Sequence, residues 1–123
     1  MAAGSGAGFA GAGLEAAEGV LFPLLFDPGS PGAAAFARAY EARWGSPPDF
    51  LAAHAHDGMR LLIDAVRRAG PNRALIRDAL SALAPWSGVT GTVSWDATGR
   101  NKTPVALGVW RDGRQLKRPP RDG

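Results

Sequence analysis

His54 and His56, next to Asp57, are the residues of this chain best suited to hold a metal ion. They lie in a segment with helical periodicity, where residues two apart diverge by about 200° around the helix axis. Two histidine ligands on one helix need a spacing of about four residues. Because the chain has no other histidine and no cysteine, we predict polar helix positions here rather than a metal site.

Residues 6–11 match the glycine pattern of a dinucleotide-binding loop, Gly-x-Gly-x-x-Gly. Such a loop holds pyrophosphate where a strand delivers it to the N-terminus of a helix. The five residues before Gly6 have no strand pattern, so a Gly/Ala-rich segment without a cofactor is the favoured interpretation.

Residues 96–101 resemble a calcium loop only faintly, since they contain a single carboxylate, Asp96, together with Arg100. Calcium loops need several carboxylates, so we predict a β-turn. The serines lack a nucleophile elbow, and no two carboxylates have the spacing of a glycosidase pair. We therefore predict no catalytic residue, no cofactor, no metal and no enzymatic activity.

The periodicity of the chain predicts one strand, three helices and further strands. Asp49 and Asn72 are predicted to cap the second and third helices, and Asp112-Gly113 to form a hairpin turn. The predicted strands are residues 20–26, 89–95, 104–111 and 114–116, and the predicted helices are residues 33–44, 50–69 and 73–83. The predicted buried face of the second helix is Leu51, Ala55, Met59, Leu62, Ile63 and Val66.

This order of elements indicates an α/β fold, and 123 residues suffice for one domain. The net charge of +3 arises in the last part of the chain, where seven Lys and Arg face two Asp from Arg100 onward. The basic residues end in a Pro-rich tail rather than on a face with aromatic residues, so nucleic-acid binding is not expected. Membrane insertion is not expected either, because the apolar run at residues 20–26 is too short and contains Pro23. No signal peptide is recognised in the chain.

Five segments, in order, resemble the type I periplasmic solute-binding proteins of ABC transporters, the leucine/isoleucine/valine-binding family. Residues 16–20 resemble its A-x-E-G-V step, and residues 36–49 resemble its F-x-x-x-Y run ending in G-x-x-P-[DN]. Residues 52–58 resemble A-A-x-A-Y-D-A, and residues 76–80 resemble I-R-D-A-L. Residues 88–99 resemble G-[VL]-x-G-x-[IV]-x-F-D-x-x-G.

The resemblance covers the C-terminal third of the family's length and implies a fragment of a bilobed fold, with helices packed on a Rossmann-like sheet. It divides the chain into a Gly/Ala-rich segment leading to a hinge strand, part of a ligand-binding lobe with hinge crossings, terminal strands and a basic flexible tail. These segments are residues 1–19, 20–96, 97–116 and 117–123.

The resemblance also implies site residues. The family commonly has an acidic or polar ligand contact just before the A-x-E-G-V step, and the region there in this chain, residues 1–13, offers Ser5 and Phe9 but no carboxylate. The hinge crossings would include Phe22 and Pro23 in one strand and Gly91 and Thr92 in another. Both sets are expectations that rest on the resemblance.

The function implied is that of a non-catalytic binding protein for branched-chain amino acids or similar small solutes. Its partners would be the solute, bound by the complete parent protein, and an ABC permease, in the periplasm or outside the cell. The fragment alone is expected to have no measurable affinity for amino acids. Two alternatives stay open: a ligand-sensing regulator on the same fold, and a small interaction domain whose similarity to the family is coincidental.

Overall fold

The computed structural model describes residues 17–119 of the chain. Within this range, the order of elements is a strand, three helices and four further strands, which confirms the predicted α/β class. The elements are β1 (Leu21–Leu24), α1 (Ala34–Trp44), α2 (Phe50–Ala69), α3 (Arg73–Ala82), β2 (Trp86–Gly88), β3 (Gly91–Val93), β4 (Ala106–Arg111) and β5 (Arg114–Lys117).

The chain forms two compact units. The described part of the first unit contains residues 17–27 and 104–119, and the second contains residues 28–103. The chain therefore passes from one unit to the other at Asp27–Pro28 and returns at Thr103–Pro104.

The first unit is a three-stranded antiparallel sheet in the order β1-β4-β5. Pro23 has no N–H to donate, and β1 accordingly lies at an edge of this sheet. Side chains alternate along β1, so that Phe22 and Leu24 point inward. They form a small core with Ala17 and Trp110.

The turn between β4 and β5 is the predicted hairpin turn. Asp112 and Gly113 have φ values of 49° and 71°, so both residues adopt the left-handed conformation that matches the twist of a hairpin. The pairing of β5 includes Lys117, and the N–H of Arg118 donates to the Leu107 carbonyl at 2.8 Å. The first two residues of the predicted tail are therefore bound to the sheet.

In the second unit, the residues predicted to cap α2 and α3 do so. The Asp49 carboxylate accepts a hydrogen bond from the N–H of Ala52, and the Asn72 side chain accepts from Ala74 and Leu75. These bonds satisfy amide groups that have no partner inside a helix. At the C-terminal end of α1, Gly45 adopts a φ of 73°, a conformation that glycine reaches without steric cost.

The predicted buried face of α2 is wrong. Leu51 and Met59 are 62% and 58% exposed, and Leu62, Ile63 and Val66 are 38–41% exposed. The buried residues of this helix are instead Ala53, Asp57 and Ala65. Helical periodicity identified the apolar face correctly, but it could not show whether the chain supplies anything to cover that face.

The strand predicted over residues 89–95 is also wrong in part. A two-stranded sheet pairs β2 with β3 in antiparallel order, and Val89 and Thr90 form the turn between them. The alternation of residue types suggested a continuous strand, but a side chain of α2 binds the backbone at this turn, as described below.

Gly108 provides a test of the packing in the first unit. A Cβ atom at this position would lie 2.5 Å from the ring of buried Phe22, which pairs with Gly108 across β1 and β4. We expect Gly108→Ala to lower the free energy of unfolding by about 1–3 kcal/mol, measured by urea denaturation, because the ring has to leave its position.

Gly32→Ala is the matched control, since the nearest atom to its added Cβ would be the Gly88 carbonyl oxygen at an ordinary 3.7 Å. Equal effects of the two substitutions would contradict the proposed packing.

Candidate functional site

The predicted site residues fall into three groups. Ser5 and Phe9 lie outside the described residues. Phe22 and Pro23 are in β1, in the first unit, whereas Gly91 and Thr92 are in β3, in the second unit. Each predicted hinge pair thus belongs to a strand of its own sheet, and the hinge role of all four residues stays a prediction.

The two hinge pairs differ in their surroundings. Phe22 is buried and contacts the backbone position of Gly108, whereas Pro23 is exposed at the sheet edge. Gly91 has a φ of 114°, which residues with a side chain rarely adopt, and this glycine is exposed to solvent. The carbonyl of Thr92 accepts a hydrogen bond from the Thr103 hydroxyl at 3.0 Å, so β3 is tied to the segment that leaves this unit.

The two histidines of α2 point in different directions. Nδ1 of His54 donates to the Phe50 carbonyl at 2.7 Å, and the His56 ring packs against Phe36 of α1 with their centroids 4.6 Å apart. Among residues 17–119, no group of three His, Cys, Asp or Glu side chains is arranged to hold a metal ion.

Asp57 is a buried charged side chain of the second unit, with 5% of its surface exposed. Its carboxylate accepts hydrogen bonds from the N–H of Val89 at 2.9 Å, the N–H of Thr90 at 2.8 Å and the Thr90 hydroxyl at 2.6 Å. A buried carboxylate is costly unless such donors replace water. Asp57 therefore holds the β2–β3 turn against α2, and we call this set of bonds the Asp57 clamp.

A second aspartate extends the attachment of the hairpin. Asp64 lies seven residues after Asp57, on the same side of α2, and accepts a hydrogen bond from the Trp86 indole N–H at 3.1 Å. Gly88 lies between these two contacts, and a Cβ atom there would overlap both the Asp57 carboxylate and the Trp86 ring. The hairpin approaches the helix this closely because residue 88 has no side chain.

The Asp57 clamp positions the β2–β3 turn. Three donors from the β2–β3 turn already occupy the carboxylate oxygens. Sequence analysis missed this role, although Asp57 lies within the segment that resembles A-A-x-A-Y-D-A. The available signal was a carboxylate on the helix side opposite the apolar stripe, which could equally have faced solvent.

The turn at residues 96–99 is confirmed. The Asp96 carboxylate accepts hydrogen bonds from the Thr98 hydroxyl, the Thr98 N–H and the Arg100 N–H at 2.7–3.0 Å. These bonds, led by that of the Thr98 hydroxyl, lower the pKa of Asp96 below its ordinary value. The side chain therefore completes its own turn.

Comparison with known proteins identifies the family. The profile described as "Periplasmic binding protein" matches residues 1–115, which is nearly the whole chain. The chain belongs to the periplasmic binding protein family. This match excludes a coincidental similarity, and it agrees with the resemblance of the five segments to the family.

Three solved structures illustrate the relationship. An ABC transporter substrate-binding protein from Desulfitobacterium hafniense, in complex with Leu, is 30% identical with a TM-score of 0.77; the match covers 84% of this chain and 32% of that one. The leucine-binding protein LivK of Thermotoga maritima is 28% identical, with a TM-score of 0.73 and coverage of 85% and 31%. LivJ of Streptococcus pneumoniae, in complex with isoleucine, is 28% identical, with a TM-score of 0.75 and coverage of 89% and 34%.

These comparisons show a fragment of the bilobed fold, as predicted, because the chain spans about a third of the length of its relatives. The relatives are substrate-binding proteins rather than enzymes. No curated protein sequence matches the chain. Within residues 17–119, no helix has the combination of length and hydropathy needed to cross a bilayer.

The Asp57 clamp can be tested by mutation. Asp57→Ala leaves two partly buried amide groups and a hydroxyl without their acceptor, so we expect the free energy of unfolding to fall by about 2–4 kcal/mol in urea denaturation. Thr90→Val, which removes only the hydroxyl bond, is expected to cost about 1–2 kcal/mol.

Asp78→Ala is the control, because that carboxylate is exposed and paired only with neighbouring Arg77. We expect a change within about 0.5 kcal/mol. If Asp57→Ala is as mild as Asp78→Ala, the hairpin does not depend on the clamp.

The turn at Asp96 makes a prediction about pH. A lowered folded-state pKa means that its contribution to stability is present above the unfolded-state pKa and is lost as pH falls through the folded-state pKa. We expect the amide resonances of Thr98 and Arg100 to titrate together with a midpoint below 3.8, and Asp96→Asn to abolish this titration. A midpoint at or above 3.8 would show that the turn does not stabilise the carboxylate.

Proposed function

We propose that this chain is the C-terminal third of an ABC-transporter substrate-binding protein for branched-chain amino acids or similar small solutes. The parent protein would act in the periplasm or outside the cell and deliver its solute to an ABC permease. The observation that supports this most strongly is the 30% identity to a Desulfitobacterium hafniense substrate-binding protein in complex with Leu. The two further relatives described above are named as binding leucine or in complex with isoleucine.

The proposed mechanism is the closure of two lobes around the solute. Closure removes the solute from water and strengthens each polar contact to it, and the permease would distinguish closed from open protein. In this chain, Phe22 and Pro23 of β1 and Gly91 and Thr92 of β3 are proposed as hinge residues. Gly91 is suited to such a role because its φ of 114° is open to glycine, so it can change conformation at little steric cost.

Ser5 and Phe9 are proposed as solute contacts. A hydroxyl can bind a polar group of the solute, and an aromatic ring can cover an apolar side chain, which is the combination that small-molecule sites use. A complete site needs the rest of the fold, since the chain spans about a third of its relatives. We therefore expect the 123-residue chain alone to give no heat of leucine binding in calorimetry.

A chimera tests the proposal directly. In the Desulfitobacterium hafniense protein, the third that matches this chain is replaced by the full 123-residue chain, and leucine binding is measured by calorimetry. We expect the chimera to bind leucine within about tenfold of the affinity of the unaltered protein, a difference of about 1.4 kcal/mol, because the replaced part preserves the fold and the proposed contacts.

Phe9→Ala in the chimera is expected to weaken leucine binding, and Ser46→Ala, at an exposed position after α1, is the control expected to leave it unchanged. A chimera that melts cooperatively but binds no leucine, isoleucine or valine would contradict the proposed solute class. Leucine binding by the 123-residue chain alone would contradict the requirement for the remaining fold.

A further inference from the structure

One face of the three-stranded sheet in the first unit, over the described strands and Arg118, carries three arginines and no acidic residue. Successive side chains of a strand point to opposite faces, and paired residues of neighbouring strands share a face. Phe22, Leu24 and Trp110 point to the inner face, where they are buried. The positions of the outer face hold five apolar residues, Leu21, Pro23, Leu107, Val109 and Leu116, and three arginines, Arg111, Arg114 and Arg118. We call this surface the arginine face.

The arginines of this face have no partner of opposite charge among residues 17–119. Arg111 and Arg114 lie directly opposite each other across β4 and β5, and like charges in that arrangement are destabilising. The two ion pairs of the described residues both lie in the second unit, one within α2 and one within α3. At the turn beside the two arginines, the Glu18 carboxylate accepts the N–H of Asp112 at 3.0 Å. The three guanidinium groups are therefore available to an anionic partner.

The apolar side chains of the arginine face are accessible as well. Leu21, Leu107 and Leu116 are 47–50% exposed, and they lie between the arginines at the two ends of the sheet. A guanidinium without a partner is costly to bury, so a larger protein that contains this sheet would leave the ends of the face in contact with water. The face thus combines cationic ends with an apolar middle.

We propose that the arginine face binds the surface of a membrane that contains anionic lipids. Lipid phosphate groups accept hydrogen bonds from Arg111, Arg114 and Arg118, since guanidinium groups match phosphate oxygens in geometry and charge. The leucines between them enter the boundary between headgroups and acyl chains, which is the depth that apolar side chains of proteins bound at a membrane interface reach. Each arginine close to an anionic membrane strengthens binding by roughly fivefold.

The spacing of the arginines favours an extended anionic surface over one small anion. Arg114 and Arg118 are four residues apart along one strand, about 13 Å, which is too far for a single phosphate to bind both directly. A second copy of the chain would bring the same arginines together across a twofold axis, and like charges there oppose association. An acidic protein would also need apolar groups placed against Leu21, Leu107 and Leu116, whereas a bilayer offers both kinds of contact at every position.

Vesicle binding tests the membrane surface. The 123-residue chain is mixed with vesicles of equal parts phosphatidylglycerol and phosphatidylcholine, or of phosphatidylcholine alone, and the bound protein is measured after sedimentation. We expect binding to the anionic vesicles and its loss at roughly 1 M NaCl, where screening limits the reach of charges to about 3 Å. Equal binding to both kinds of vesicle would overturn the proposal, because the association would then be independent of charge.

Two triple variants test which arginines are responsible. The test variant is Arg111→Gln, Arg114→Gln and Arg118→Gln. The matched control is Arg38→Gln, Arg68→Gln and Arg73→Gln, at exposed arginines of the second unit. Each removes three positive charges and lowers the formal net charge from +3 to 0. We expect the test variant to bind anionic vesicles about 100-fold more weakly and the control to bind within about threefold of the original chain. Equal losses would show that net charge alone drives binding and would overturn the role of the face.

Leu116→Gln separates a membrane from an acidic macromolecule. This variant keeps every charge and removes one exposed apolar side chain from the middle of the arginine face, so we expect binding to weaken by about fivefold. Unchanged binding would contradict entry of the leucines into the bilayer and would favour a partner held by charge alone. Complete displacement of the chain from vesicles by millimolar glycerol phosphate would overturn the proposal in favour of a small anion.

The chimera described above decides whether the arginine face is accessible in a complete protein. We expect it to bind anionic vesicles about 100-fold more tightly than the same chimera with the three glutamines of the test variant. Equal binding by the two chimeras, with both melting cooperatively, would overturn the proposal, because the remainder of the protein would then cover the face. The measurement involves no solute. A chimera that binds leucine but not vesicles would reject the membrane surface and retain the proposed function, and the converse result would do the reverse.

Discussion

The second unit depends on one buried carboxylate. Asp57 accepts three hydrogen bonds from the β2–β3 turn, and these bonds join α2 to the hairpin. Once the carboxylate is buried, its donors have to be present, because an unpaired charge away from water would cost several kcal/mol. The absence of a side chain at Gly88 and the Trp86–Asp64 bond follow from the same close approach. The hairpin is therefore attached to the helix by polar contacts, and the apolar side of α2 is left outward.

The outward orientation of the apolar side of α2 is consistent with a chain that is part of a larger periplasmic binding protein fold. Among residues 17–119, no large side chain is completely buried, and the core of the first unit is small. The exposed side of α2 contains apolar side chains that in an ordinary domain would supply a substantial part of the core, namely Leu51, Met59, Leu62, Ile63 and Val66. A chain that spans about a third of its relatives is expected to show this pattern, because an interior surface of the whole fold becomes a surface of the part.

The parts of the fold that sequence analysis predicted correctly are those governed by neighbours along the chain. The caps at Asp49 and Asn72 and the turn at Asp112-Gly113 each depend on one or two residues and the backbone next to them. The two errors have different causes: nothing in the described chain covers the apolar face of α2, whereas a carboxylate distant in sequence binds the backbone within residues 89–95. Asp57 and Val89 are 32 residues apart, so no local pattern could show that the carboxylate would bind the amide and convert strand into turn.

The sequence by itself determined the α/β class, the extents of the helices, the turns and the resemblance to solute-binding proteins, because periodicity, capping residues and short motifs are local properties. It also identified Phe22, Pro23, Gly91 and Thr92 as hinge candidates, and their hinge role remains a prediction. Only the tertiary structure decided which side of α2 is buried and what Asp57 binds. The physical reason is that burial depends on which segments are present to cover a surface, and neither hydrophobic periodicity nor a single carboxylate specifies its partner in advance.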